Sequence, residues 1–284
     1  MTFLYAVAAL YAPFCAAAQQ LPAPVEAAPP APTYSEFADL VVAAPVLIDA
    51  TIRSTAKVKP PESGPGEPPR SGGVQPGYAR LYVEAEVSAL IRSPDPLPPL
   101  VGYVVDIPLD RAGRLPKLKR LRVLLFARTT RTPGQIQLVR TDAQRYWNPE
   151  ADALTRRIAT ELVAPGAAPA ITGVATAFHT PGALPGEGET QIFLTTEGDS
   201  RISLNITRKQ GQPPRWSPAV GDVVDDAAAP PAHDTLLWYR LACGLPAALP
   251  ETSTAGITPE EAELARADYR FVLESLGSCG RPPA

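Results

Sequence analysis

Proline constrains the fold of this chain more than any other residue, since 35 of the 284 residues are proline. Its ring fixes φ and removes the backbone N–H, so proline is excluded from helix interiors and central strands. The usual proportion is about 5%, and this excess predicts many short elements joined by loops. Because 45% of the residues are hydrophobic, the chain can still build a core.

The N-terminal segment has the composition of an export signal. Residues 2–18 carry no charge, and the run ends in three alanines, which signal peptidase accepts before its cleavage point. We therefore expect a signal peptide over residues 1–18 and a periplasmic or secreted protein. A secretory signal normally starts with Lys or Arg, and none precedes this apolar run. An uncleaved anchor is an open alternative. Cys15 suggests a lipoprotein, but Phe14 before it disfavours this.

Beyond residue 18, the composition divides the chain into a tether and two β-rich segments. Residues 19–33 are rich in Pro and Ala and are expected to be an extended tether. Residues 34–147 form a β-rich domain, in which the strand expected over 79–91 alternates apolar and polar side chains. Residues 148–284 are expected to hold a helix, a β-hairpin segment and C-terminal helices.

Capping signals place the helices. Asn148 before Pro149 predicts a helix that runs to Val163, and the Thr-Pro-Glu-Glu start at Thr258 predicts a last helix that runs to Leu276. Further expectations are a cap at Ser35, a cap at Asp234 and one long or bent strand over 41–58 with a break at Pro45. The predicted fold class is therefore α+β and β-rich, with two β segments joined by a helix and the C-terminal helices packed on the second.

Two cysteines lie outside the leader, Cys243 and Cys279. In an exported protein, an even pair predicts a disulfide. The alternative is two unrelated buried thiols. Neither cysteine belongs to a Cys-x-x-Cys pair, which argues against redox catalysis and against a zinc site.

Charge and hydropathy exclude several classes of protein. The net charge of −3 and the isoelectric point near 5.6 argue against a nucleic-acid binder, which needs a basic surface. No apolar run after residue 18 is long enough to span a membrane, so no membrane span is expected after signal cleavage. No metal site and no cofactor are predicted, because no ligand or phosphate-cradle pattern is present.

The densest charge feature is a basic stretch of six residues, Arg111, Arg114, Lys117, Lys119, Arg120 and Arg122. Such a stretch is suited to an anionic partner such as lipid, lipopolysaccharide or an acidic glycan. The alternative is a solvated loop that leads into a strand. Interleaved aromatic residues, which single-stranded nucleic-acid sites use, are absent from it.

Catalytic signatures are missing. Only two histidines exist, and His179 is the better candidate for a catalytic residue because it lies at the end of an expected strand. The alternative is a histidine that caps the adjoining turn. No Gly-x-Ser-x-Gly elbow accompanies it, so the sequence favours a non-catalytic protein over an enzyme.

Three blocks carry a resemblance to known proteins: YVVDIPLDRAGRLPKLKRLRVLLFAR, AFHTPGALPGEGETQIFL and DTLLWYRLACGLP. They resemble segments of uncharacterised exported proteins from alphaproteobacteria of the sphingomonad type, which implies export but no activity. The element order over residues 34–140 is also similar to an OB-like barrel, as in exported netrin/inhibitor-type domains. The cysteines that such domains carry near their start are absent here.

These observations predict an exported envelope protein that binds or interacts without catalysis. Its partner would be an envelope protein or an anionic envelope polymer. The alternative is a periplasmic hydrolase with dispersed catalytic residues.

Overall fold

The computed structural model describes residues 33–58, 73–198, 200–221 and 229–281, all within one compact unit, Pro32–Ala284. The predicted signal peptide and almost all of the predicted tether lie outside the described residues. Two antiparallel sheets, four α-helices and a short 3₁₀ turn make up the described part of the chain. The β-rich α+β class is therefore confirmed.

The first sheet consists of β1 (Val46–Lys57), β2 (Tyr78–Arg92), β3 (Leu100–Pro108), β4 (Arg122–Thr129), β5 (Ile136–Leu138) and β6 (Gln144–Tyr146). The strand order is β3-β2-β1-β4-β5, and β6 also pairs with β4. Because β5 and β6 run in the same direction beside β4, they are two parts of one interrupted strand. A parallel bridge from Gly102 to Gln135 brings the two edges of the sheet together at one point.

The second sheet has the order β10-β9-β8-β7 and consists of β7 (Ile171–Pro181), β8 (Gly188–Thr196), β9 (Ile202–Arg208) and β10 (Arg215–Val220). The helices are α1 (Tyr34–Ala43), α2 (Pro149–Val163), α3 (Leu236–Gly244) and α4 (Pro259–Leu276), with a 3₁₀ turn at Glu251–Thr254. As predicted, α3 and α4 pack on the second sheet, while α1 contacts β4, α2 and α3. The first helix therefore links the first sheet to the C-terminal helices.

Five prolines of the described elements lie where the missing N–H of proline costs least. Pro149 and Pro259 occupy the first positions of α2 and α4, whose amides have no partner within the helix. Pro108 and Pro181 end strands β3 and β7. Pro218 lies in the edge strand β10, in a pair whose main-chain groups face away from β9.

One hydrophobic cluster contains side chains from both sheets and all four helices. On the first sheet, α1 places Phe37 edge-on against Phe126 of β4, with ring centroids 5.9 Å apart. On the second sheet, Trp216 of β10 donates its Nε1–H to Ser275 of α4 at 2.8 Å. The two β segments therefore share a core.

The helix predictions hold for α2 and α4, whose bounds match, but two caps were wrong. Thr33, not Ser35, caps α1 and forms a capping box with Glu36, while Ser35 donates its hydroxyl to the carbonyl of Cys279. Thr235 caps α3, and Asp234 before it has a positive φ of 59°. Both corrections come from long-range or conformational constraints that local patterns do not contain.

The strand predicted over 41–58 begins too early, because residues 41–43 continue α1, and β1 begins at Val46, just after the predicted break at Pro45. Arg92 of β2 explains this boundary. It donates to the carbonyl of Val41 at 2.5 Å and to the carbonyl of Ala44. A guanidinium from the sheet thus binds the last carbonyls of the helix, which have no partner within it.

The predicted disulfide joins Cys243 at the end of α3 to Cys279 in the C-terminal tail. The tail also holds the first helix. The carbonyl of Cys279 accepts from Ser35, and the Arg281 guanidinium binds the Asp39 carboxylate through both oxygens, at 2.6 and 2.9 Å. The start and the end of the described chain are therefore fastened together.

Candidate binding site

The basic stretch is divided between a loop and β4. Arg122 lies on β4 and binds the fully buried Asp49 carboxylate, with N–O distances of 2.8 and 2.5 Å, while its guanidinium stacks 3.8 Å from the centre of the Trp147 ring. Arg122 is therefore part of the packing between β1, β4 and the start of α2. The other five residues precede β4 in the loop after β3, where Arg114 pairs with Asp110. Their role toward an anionic partner stays a prediction.

His179 is buried on β7, where the second sheet faces α4. Its Nδ1 lies 2.8 Å from the hydroxyl of Thr190, and that hydroxyl donates to Asp268 at 2.5 Å. Because the hydroxyl hydrogen is used on the carboxylate, its oxygen accepts from Nδ1–H, which in the neutral imidazole leaves the lone pair on Nε2. Arg208 donates to the other carboxylate oxygen at 2.6 Å. Asp268 thus orients the imidazole through a hydroxyl group.

A cavity of about 410 Å³ lies beside His179, between the loop 181–187 and Leu264 of α4. Gly188 is needed here, since a Cβ at this position would lie 2.6 Å from Cε1 and Nε2 of the imidazole. The hydroxyl that contacts His179 belongs to Thr190, which is fully buried and directed at a carboxylate. Such a hydroxyl cannot attack a substrate, which argues against acyl transfer. The network instead holds α4 against the sheet.

The strongest candidate site lies where the two edges of the first sheet separate. Just beyond the β2–β3 ladder, Leu109 N–H bonds to Gly77 O at 2.8 Å. Because hydrogen-bonded and non-hydrogen-bonded pairs alternate along an antiparallel ladder, the odd-numbered residues of Val101–Ile107 bond to β2. The main-chain groups of Val104 and Asp106 therefore point away from β2. Among the described residues, these four groups make no hydrogen bond. They form a short free edge.

A clasp closes the sheet at one end of this free edge. Gly102 N–H donates to Gly134 O at 2.8 Å, and the Gln135 amide donates to the Tyr82 hydroxyl at 2.8 Å. The Tyr82 side chain crosses over Gly102, where a Cβ would overlap its hydroxyl. Beyond the clasp, β3 and β5 separate.

The opposite wall is a bulge, residues 140–142, between β5 and β6. Phe126 of β4 bonds to the main chain on both sides of it, so the bulge loops out of the sheet. Arg140 binds Asp142 at 2.9 and 2.8 Å, and Arg145 binds it at 3.0 Å. Burial opposes ionisation of the Asp142 carboxyl, but the hydrogen bond and charge of Arg140, with the charge of Arg145, hold its pKa below its usual value.

Two adjoining cavities of about 390 and 200 Å³ lie between the free edge and the bulge. We call this space the seam groove; its lining includes Tyr78, Arg80, Val104–Pro108, Leu138 and residues between Arg140 and Tyr146. Tyr78 and Tyr146 are 42% and 60% exposed, which is high for tyrosine rings at a cavity. The Arg80 guanidinium binds Asp106 at 2.7 Å through both oxygens on the outer face.

The chemistry of the seam groove suits binding. Its described lining residues include no His, Cys or Ser. Its two carboxylates, Asp106 and Asp142, each bind an arginine through both oxygens, so their acceptor atoms are already engaged. Tyrosine rings beside apolar groups and a few oriented polar groups are typical of ligand pockets.

Acid is expected to loosen the bulge through Asp142. Its pKa is lowered in the folded protein, so its ionised form stabilises the fold above the unfolded pKa of about 3.9, and this contribution is lost as pH falls through the lower folded value. A carboxyl-detected NMR titration should place the Asp142 midpoint below the ordinary value. Arg140→Met should raise that midpoint. An Asp142 midpoint at or above the ordinary value in the unaltered protein would contradict this account.

The seam groove was missed by the sequence analysis. One local signal was present, because Asp106 interrupts the apolar strand YVVDIP and a carboxylate there needs a partner. The free edge has no local signal, since it depends on which strands pair.

The described residues contain neither a candidate metal cluster nor a helix suited to a membrane. In these ranges, no group of three or more His, Cys, Asp or Glu side chains lies in a position to hold a metal ion. No helix there combines the length and the apolar character needed to cross a membrane.

No protein-family model matches the chain, and no curated protein matches it either. The functional inference therefore depends on the geometry of the chain itself.

Proposed function

We propose that this protein is an exported, non-catalytic binding module whose ligand site is the seam groove. The export part rests on the uncharged leader over residues 1–18 and on the disulfide, which oxidising compartments favour. The partner class is an envelope protein or an envelope polymer. Cleavage after Ala18 can be checked by the intact mass of the protein from its host's envelope fraction, and a full-length mass would contradict it.

One observation carries the binding proposal. Among the described residues, no hydrogen-bond partner is present for the main-chain groups of Val104 and Asp106, which face cavities whose lining includes two exposed tyrosines. Unpaired backbone groups at a sheet edge are costly in folding and in solubility, and proteins usually cover or interrupt them. A ligand that hydrogen-bonds to these backbone groups would explain why the edge is left uncovered.

The architecture of the first sheet supports the same proposal. Five strands in the order β3-β2-β1-β4-β5, with a single bridge between the outer two, agree with the partly open barrel of OB-like domains. We propose this relationship for residues 34–140. OB-like barrels are binding modules, and fold alone does not define the ligand.

Removing both exposed tyrosines is expected to weaken ligand binding about tenfold or more, because two large rings that line the cavity can bury much apolar area against a ligand. The variant is Tyr78→Ala with Tyr146→Ala. Soluble peptidoglycan fragments, lipopolysaccharide and a peptide digest of envelope proteins serve as probes in NMR titrations of the mature protein. Leu184→Ala, at the His179 cavity, is the matched control and should bind normally.

The titrations have clear contrary outcomes. Resonance shifts confined to the His179 cavity, or equal binding by the double tyrosine variant, would place the site elsewhere. The oriented imidazole of His179 keeps a periplasmic hydrolase as the second candidate. Cleavage of a probe that is lost in His179→Gln would favour the hydrolase over the binding module.

A further inference from the structure

We propose that the seam groove takes an extended polypeptide segment of a partner protein, which pairs as an added strand with the free edge of β3. This inference rests on the proposed function, since it names the partner class of the same groove. Three features support it: the periodicity of the backbone groups, the position of the cavities and the shielding of the edge.

The unpaired main-chain groups of β3 repeat at the interval of an extended polypeptide. Val104 and Asp106 each present an N–H and a C=O toward the groove, two residues apart along β3. Two residues of a strand span about 6.6–6.8 Å, and an extended peptide repeats its own donors and acceptors at the same interval. A glycan has no such ladder of amide groups. The main chain therefore favours a peptide over a sugar polymer.

The cavities lie on the side of β3 to which these groups point. On the opposite wall, Val139 N–H bonds to Phe126 O, so the main-chain groups of Leu138 also face the groove. An added strand runs about 4.7–4.9 Å from its neighbour. The added strand would lie beyond the clasp, between β3 and the bulge.

The charge and aromatic groups indicate which segment fits. The groove is lined by three guanidinium groups, of Arg80, Arg140 and Arg145, against the two carboxylates of Asp106 and Asp142. This balance favours a segment with an acidic side chain. The exposed rings of Tyr78 and Tyr146 favour an apolar or proline side chain beside it.

The edge is also shielded against unspecific pairing. Prolines precede β3 and end it at Pro108, so only a short stretch can accept a strand. The bulge forms the facing wall, and the β3 edge is therefore recessed. The equally recessed edge of a second copy cannot reach it, which favours a single extended segment of another protein.

Val104→Pro tests the inference, because it removes one N–H of the free edge and leaves the β2–β3 ladder intact. Val104→Ala is the matched control, since it shortens the side chain to a methyl group but keeps the N–H. Linear peptides are selected by phage display against the full mature protein, and their affinity for each variant is measured by fluorescence anisotropy. Circular dichroism and thermal unfolding verify that each variant is folded.

We expect Val104→Ala to bind the selected peptides nearly as well as the unaltered protein and Val104→Pro to bind about tenfold more weakly, through loss of a backbone hydrogen bond. Bound peptide should slow hydrogen exchange at Val104 and Asp106. If Val104→Pro does not fold, N-methylated peptides provide the test instead. One set is methylated at the odd-numbered amides and the other at the even-numbered amides. Only the set whose methylated amides face β3 should bind weakly.

Several outcomes would overturn strand addition. Peptides that bind Val104→Pro and Val104→Ala equally, but lose affinity in the double tyrosine variant, would leave the seam groove as a binding site without strand pairing. Glycan probes that shift groove resonances while no peptide is selected would have the same meaning. A dimer that Val104→Pro dissociates would identify a second copy as the occupant. If no probe binds the groove, the proposed function fails together with the inference.

Discussion

Replacing Arg208 with Met is expected to lower the free energy of unfolding by about 3–5 kcal/mol, the usual effect of removing one partner from a buried ion pair. Asp268 is fully buried and binds Arg208 through its Oδ1 oxygen, while Thr190 occupies Oδ2. Without the guanidinium, the Thr190 hydroxyl is the hydrogen-bond donor that the described residues leave to the carboxylate. Its desolvation is then uncompensated, because α4 and β8 exclude water from it.

The reverse substitution separates charge from packing. Asp268→Asn leaves a guanidinium that is 29% exposed and can be solvated, so its effect should be smaller. The double variant should be more stable than the sum of the two single effects predicts. Urea unfolding followed by tryptophan fluorescence measures all three, since Trp216 bonds to Ser275 on α4.

Arg215→Met is the control, because Arg215 is an exposed residue of the same sheet, and its effect should stay within about 0.5 kcal/mol. If the effects of the Arg208 and Asp268 substitutions simply add, the two side chains do not act as a pair. If Arg208→Met is as mild as Arg215→Met, the carboxylate does not depend on the guanidinium.

Local features of the sequence predicted the elements but not their assembly. The bounds of α2 follow from Asn148 and Pro149, because capping and the missing N–H of proline act within one turn. Alternation identified β2, in which Leu81, Val83 and Ala85 are buried and the residues between them are not. The disulfide pairing was predictable because only two cysteines follow the leader.

The sites depended on long-range contacts and were not predictable in the same way. His179 and Asp268 are far apart in the sequence, and nothing near either residue indicates Thr190 or Arg208 as the connecting group. Arg122 looked like one of six equivalent basic residues. Its pairing with Asp49 follows only from the register of β1 and β4, in which the carboxylate lies near the start of the facing strand.

The free edge of β3 is a stronger example. Whether Val104 directs its N–H toward β2 or away from it depends on the pairing register. A shift of one residue would exchange the residues whose main-chain groups face β2 with those whose groups face the groove. Hydrophobic alternation fixes the side-chain faces, but it does not say which neighbour a strand has. The seam groove therefore required the assembled sheet.

Removing the disulfide, by Cys243→Ser with Cys279→Ser, is expected to lower the free energy of unfolding by about 3–4 kcal/mol, because the bond closes a long loop in the unfolded chain. The sequence separation of the two cysteines is 36. The loss should have a local signature, since the tail that carries Cys279 also holds α1 through Ser35 and Asp39. Hydrogen exchange by mass spectrometry should therefore show α1 losing protection together with the tail.

Asp39→Asn is the matched control, because it weakens the Arg281 contact with α1 and leaves the disulfide in place. It should loosen α1 without the large global loss of stability. If the cysteine variant lost stability but α1 kept its protection, the tail would not be what holds the first helix. If α1 lost protection equally in both variants, the Asp39–Arg281 pair would hold α1, and the disulfide would act mainly on the unfolded chain.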